Sequence, residues 1–120
     1  MVFVVTVSTM ARSSSSRDIS FDTDFGSARI RWDGPRATLF LGDVESSAVD
    51  TSDPTYLEFE YMQHMNAVVS SLWGAQDRFR ALHVGGAACA LACAWAASHP
   101  QSRHVAVEVD RLLAEQVREH

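Results

Sequence analysis

The spacing of apolar residues changes period along the chain. From Ala28, "ARIRWDG" alternates Ile30 and Trp32 against Arg29, Arg31 and Asp33, the two-residue period of a strand with one buried face. "DGPR" is turn chemistry, and "ATLFLGD" predicts a second strand ended by Gly42 and Asp43. "VESSAVDTSDP" reads as a weak third strand or an ordered loop closing at Asp53 and Pro54. An antiparallel element this thin is stable only when it packs on something else. The period then lengthens. In "DPTYLEFEYMQHMNAVVSSLW", Tyr61, Met65, Val68 and Leu72 recur at helical spacing, Ser52 or Asp53 can cap, and Pro54 suits a first turn. A helix is therefore predicted over residues 54–73, ended by Gly74. Glu58 lies in line with its apolar stripe, where an acid near the helix start also meets the dipole favourably, while Glu60 and His64 share the polar side.

Further on, "RALHVGG" is a short buried strand, "AACALACAWAASH" a helix stopped at His99-Pro100, "RHVAVEVD" a second strand, and "RLLAEQVREH" the opening of another helix. The intervening stretch is long enough for a right-handed crossover. Residues 81–85 and 104–109 are thus expected to be adjacent parallel strands, joined by a helix over residues 87–98. The fold class is α/β: a small N-terminal antiparallel β element over residues 26–53, then the first β-α-β-α of an incomplete Rossmann-like parallel sheet over residues 54–120. Residues 1–25, with Ser13 to Ser16 between Arg12 and Arg17, are expected to be a disordered leader. The run "MVFVVTVST" has no evident packing partner, so Met10 competes with Met1 as the true start. The leader makes a poor secretory signal, with no basic residue before the apolar run.

Composition narrows the function. A formal charge of -5 and a scarcity of lysine argue against a nucleic-acid partner, and suit a cationic substrate better. No stretch is apolar for long enough to span a membrane, so no membrane partner and a cytoplasmic location are expected. Cys89 and Cys93, one helical turn apart, read as small core residues. Adding His83 and His99 gives no structural zinc spacing, and no metal site is predicted.

The candidate chemistry lies between the last two predicted strands. Gly85 and Gly86 fall where the first strand hands over to its helix, where absent side chains let the backbone turn tightly and a helix N-terminus offers unpaired N–H groups. The full G-x-G-x-x-G is missing, with Ala87, Ala88 and Ala90 in its place, and paired glycines also serve close helix–strand packing. Glu108 ends the second strand about 20 residues on, where an acid accepts hydrogen bonds from ribose hydroxyls. Asp110 is a further candidate for this site, or else a cap for the next helix.

The succession "LFLGDVESSAVDTSDPTYLEFEYMQHM", "ALHVGGAACALA" and "VAVEVD" resembles the amino-terminal half of the spermidine synthases, more closely the spermidine synthase-like proteins of actinobacteria, over residues 28–120. The resemblance implies a small β domain followed by a methyltransferase-type Rossmann domain. It also implies aminopropyl transfer from decarboxylated S-adenosylmethionine to putrescine. Gly85 and Gly86 match the start of that family's "GGGDGG" turn, and Glu108 its ribose-binding acid. Ala88 stands where the family has aspartate and Ser46 where it has a glutamine near the nucleoside. The family's "YHE" aligns with Glu58, Phe59 and Glu60, which leaves Glu60 as the retained substrate-binding residue. The family's general base is expected after a third strand, beyond His120, so the chain is expected to be inactive alone. No tightly bound cofactor is implied, only decarboxylated S-adenosylmethionine or S-adenosylmethionine as co-substrate. The partners implied are a nucleoside and a polyamine, with a homodimer or a partner chain completing the sheet. Two alternatives stay open: an S-adenosylmethionine-dependent methyltransferase fragment, which would normally lack the β element, and a noncatalytic nucleoside-binding or interaction module.

Overall fold

Alternating side chains build the first sheet. In the computed structural model, which describes residues 2–4 and 16–120, strands β2 (Arg17–Thr23), β3 (Gly26–Asp33), β4 (Arg36–Leu41) and β5 (Val44–Asp50) pair antiparallel in sequence order. Ala28 and Ile30 of β3 and Ala37 and Leu39 of β4 point to one face and are buried there, with Phe21, Trp32 and Val49 packed around them. That face is closed by helix α3 (Arg111–Glu119), whose Leu113 and Val117 recur one turn apart. Burying a side chain as fully as Leu39 contributes about 1.5–3 kcal/mol. On the opposite face Phe40 is covered by arginines, with the guanidinium carbons of Arg29 and Arg31 lying 4.2 Å and 5.0 Å from its ring centre.

The second sheet contains the parallel pair that the pattern predicts. Strand β6 (Arg80–Val84) runs parallel to β7 (Arg103–Val107), and helix α2 (Ala90–Ser98) connects them. Ala90, Ala92, Ala94 and Trp95 of α2 are buried on more than one side of the helix, and the small alanines let it lie close to β7. The helix begins three residues later than predicted, because residues 85–89 are spent on a turn. Helix α1 (Glu60–Leu72) is tied to α2 where Trp95 Nε1 donates to Asn66 Oδ1 at 3.0 Å.

Three expectations are corrected. Residues 17–23 are strand β2 rather than leader, since Ile19, Phe21 and Thr23 alternate with Asp18, Ser20 and Asp22 and extend the first sheet. Val2–Val4, strand β1, pairs antiparallel with β7, so these residues are part of the second sheet rather than of a disordered leader. Of the expected leader, residues 1 and 5–15 lie outside the described residues. Finally, α1 starts at Glu60 and not at Pro54, because the Asp53 carboxylate folds back on Thr55, accepting from its N–H and its hydroxyl, and holds residues 53–55 in a turn. No residue of α1 is buried. Its predicted core stripe of Tyr61, Met65, Val68 and Leu72 is exposed, and Glu58 is an exposed residue ahead of the helix.

Candidate functional site

Beyond Val84 the chain reverses through Gly85, at φ +86°, a conformation that costs an L-residue a clash at Cβ. Ala87 and Cys89 also adopt positive φ, at 43° and 57°. Each costs roughly 1–2 kcal/mol relative to glycine's freedom there. Gly86 itself is not sterically demanded: a Cβ would meet Cys89, Ala106 and Glu108 at 3.5–3.8 Å, ordinary contact distance.

Glu108 holds this strained turn in shape. Its Oε2 accepts from Gly86 N at 3.0 Å and Ala87 N at 3.1 Å, and its Oε1 from Asp110 N at 3.0 Å. Burial raises the affinity of this carboxyl for a proton. Donation from the N–H groups of Asp110, Ala87, Gly86 and Val109 outweighs burial and keeps its pKa below the ordinary value. The two N–H groups expected to face a ligand at the turn are thus turned on Glu108. The carboxylate itself, fixed and ionised, lines an open cleft of about 700 Å³ together with Gly85, Gly86 and Asp110.

Asp110 serves mainly as a helix cap. Its Oδ1 accepts from Leu113 N at 2.8 Å and from Asp24 N at 3.0 Å. Asp24, in the turn between β2 and β3, returns the contact by accepting from Arg111 N at 2.7 Å and Leu112 N at 3.3 Å. Two carboxylates from opposite ends of the sequence therefore satisfy the first N–H groups of α3. Burial again works against the charge on Asp110, and the N–H groups of Leu113 and Asp24 overcome it, lowering the pKa.

The opposite wall of the cleft comes from the first sheet and from the start of α1. Phe25 and Ser27 lie in or beside the β2–β3 turn, Gly42 follows β4, and Ser46 stands on β5. Tyr61 and Met62 close one end. Ser46, read as replacing the family's glutamine, is thus a cleft residue. Phe25 and Asp24 were missed, because they were assigned to the leader. Glu60 is not brought to the others: its side chain is 85% exposed and lies 3.8 Å from His64, as its place on the polar side of the helix requires. Cys89 and Cys93 are half-buried and free, and burial pushes the Cys89 thiol up to about 11 and the Cys93 thiol upward as well, so both are poor nucleophiles.

No family model and no curated protein matches the sequence. Among solved structures, a probable spermidine synthase from Corynebacterium glutamicum ATCC 13032 is similar to this chain. The two are 28% identical with a TM-score of 0.74, over 91% of this chain and 40% of the other. The fold is therefore spermidine synthase-like, and the chain spans 40% of the length of that protein. No helix among the described residues is long and apolar enough to cross a membrane.

Proposed function

We propose that this chain is a spermidine synthase-like protein that binds an adenosyl nucleoside in the cleft between its two sheets. The β6-α2-β7-α3 succession is then the opening of a Rossmann-like, methyltransferase-type sheet. The observation that carries the reading is the Glu108 carboxylate at the carboxyl end of β7, facing the Gly85–Gly86 turn in one cleft, where a ribose would present its hydroxyls. Glu108 and Asp110 are the cleft's only carboxylates among the described residues, and both are held ionised. Such a lining favours a cationic sulfonium, as in decarboxylated S-adenosylmethionine or S-adenosylmethionine, and disfavours a nucleotide phosphate.

The ancestral chemistry is aminopropyl transfer to putrescine. The 120-residue chain is not expected to perform it by itself. A general base works best with a pKa near the working pH, and both cleft carboxylates are shifted the other way. That same observation favours a second reading, a noncatalytic nucleoside-binding module. Calorimetric titration with S-adenosylmethionine, its decarboxylated form and methylthioadenosine tests binding, and mass spectrometry of a reaction with putrescine tests turnover. Binding without spermidine is the expected result. Absence of binding by all three nucleosides would defeat the reading.

A further inference from the structure

Below the glycine turn, on the side of the second sheet covered by α2, two histidines from adjacent strands meet ring to ring. His83 Nε2 of β6 lies 3.1 Å from His104 Nδ1 of β7. His104 is buried, and its Nε2 lies 2.6 Å from Ser102 Oγ, which is itself 2.6 Å from the carbonyl oxygen of His99. The rings packed on the pair are Trp95 of α2, which touches both, and Phe79, just ahead of β6, which stands edge-on to His104. The titratable groups facing His104 are His83 and His99, and no carboxylate among the described residues is paired with either ring of the pair.

Counting protons shows what this arrangement tolerates. The His99 carbonyl can only accept, so the Ser102 hydroxyl donates to it, and Ser102 Oγ then accepts from His104 Nε2–H. A neutral His104 is left with a bare Nδ1, which accepts from His83 Nε2–H. A single proton therefore lies between the rings. One added proton can sit on the far nitrogen of His83 with every bond kept. A second, on His104, would set two N–H groups against each other at a 3.1 Å separation.

We infer that the His83–His104 contact is an acid-labile latch, closing β6, β7 and α2 together beneath the nucleoside cleft while it carries at most one added proton and opening when it carries two. Burial, reinforced by the neighbouring charges of His83 and His99, pushes the His104 pKa down to about 4, and burial lowers that of His83. An ordinary histidine takes up its proton near 6.5. Over the interval from about 6.5 to about 4 the unfolded chain therefore binds more protons than the folded one. Stability conferred by the latch is complete above that interval and lost as pH falls through it.

Thermal unfolding of the full chain between pH 7.5 and 4.5, for wild type and for His83→Gln, reads the latch without any ligand. A glutamine amide can turn to accept from a protonated His104, so the variant should lose at least half of the wild-type fall in Tm, itself expected to be about 5 °C or more. Long-range nitrogen NMR of the wild-type imidazoles gives a second reading that needs no variant to fold: both rings should be neutral at pH 7 and take up protons in two separated steps. An equal fall in Tm for wild type and His83→Gln, or two rings titrating independently near 6.5, would overturn the proposal.

Discussion

The two sheets are built from similar short strands yet are covered very differently. The inner face of β2–β5 is sealed by α3, with Leu39 only 1% exposed. On the second sheet, Leu82 and Val84 of the edge strand β6 are 65% and 86% exposed, and the apolar stripe of α1 beside them is open too. The first sheet is thus organised by burial. The glycine turn at the end of the second is organised by polar contacts, the Glu108 carboxylate gripping N–H groups and the Asp24–Asp110 pair clasping α3. The turn can in this way keep its backbone geometry on a sheet whose apolar face is half uncovered.

The contrast is broken most readily at the packed side. Leu39→Ala should cost about 2–5 kcal/mol in urea unfolding, by leaving a cavity, whereas Leu82→Ala should stay within roughly 0.5 kcal/mol, as surface changes do. A large cost at Leu82 would mean that the open face is covered in solution. Next in size is Glu108→Ala, expected to cost about 2–3 kcal/mol because three N–H groups lose a charged acceptor. Since Glu108 has a lowered pKa, its stabilisation is present above about pH 4.5 and lost as pH falls through the folded value. Glu108→Gln should therefore flatten acid unfolding below pH 4.5, which circular dichroism across a pH series would register.

Smaller effects sharpen the picture. Asp24→Ala and Asp110→Ala should each cost about 1 kcal/mol as lost caps. The double variant should show a coupling of roughly 0.5–3 kcal/mol, because the two side chains share the same helix end. Simple additivity would mean that the clasp does not form. Smallest are Ala87→Gly and Cys89→Gly, each expected to raise stability by roughly 0.5–1 kcal/mol, the left-handed strain relieved less the entropy of glycine. A loss of stability at either position would show that the turn does not hold positive φ there.

What the sequence disclosed follows from which forces leave a pattern. The parallel pair was legible because "RALHV" and "RHVAV" are short apolar runs around a helix-forming stretch, and Gly85 marked the turn. Ala87 and Cys89 gave no sign of left-handed backbone, because residues other than glycine seldom adopt it and the clamp that enforces it lies some 20 residues away at Glu108. The grip of Glu108 on the turn was likewise hidden, although its position at the strand end was read correctly. Strand β2 was missed for a different reason: its alternation of Ile19, Phe21 and Thr23 was present, but the serine run before it dominated the reading. The start of α1 went wrong because Asp53-Pro54 fits both a helix N-terminus and the side-chain turn that Asp53 forms with Thr55. The apolar period along α1 was real, but a period cannot say what covers it.

The central claim, a nucleoside held at Glu108, is tested most directly by following the backbone amides of Gly86 and Ala87 by NMR while methylthioadenosine is added to the full chain. Both amides donate to the Glu108 carboxylate, so a ribose that shares that carboxylate must shift them. The account predicts saturable shifts centred on Gly86, Ala87 and Glu108, weakened by about 1–3 kcal/mol in Glu108→Ala and less in Asp110→Ala. Unshifted Gly86 and Ala87 amides in a folded chain, or equal losses in the two variants, would contradict it.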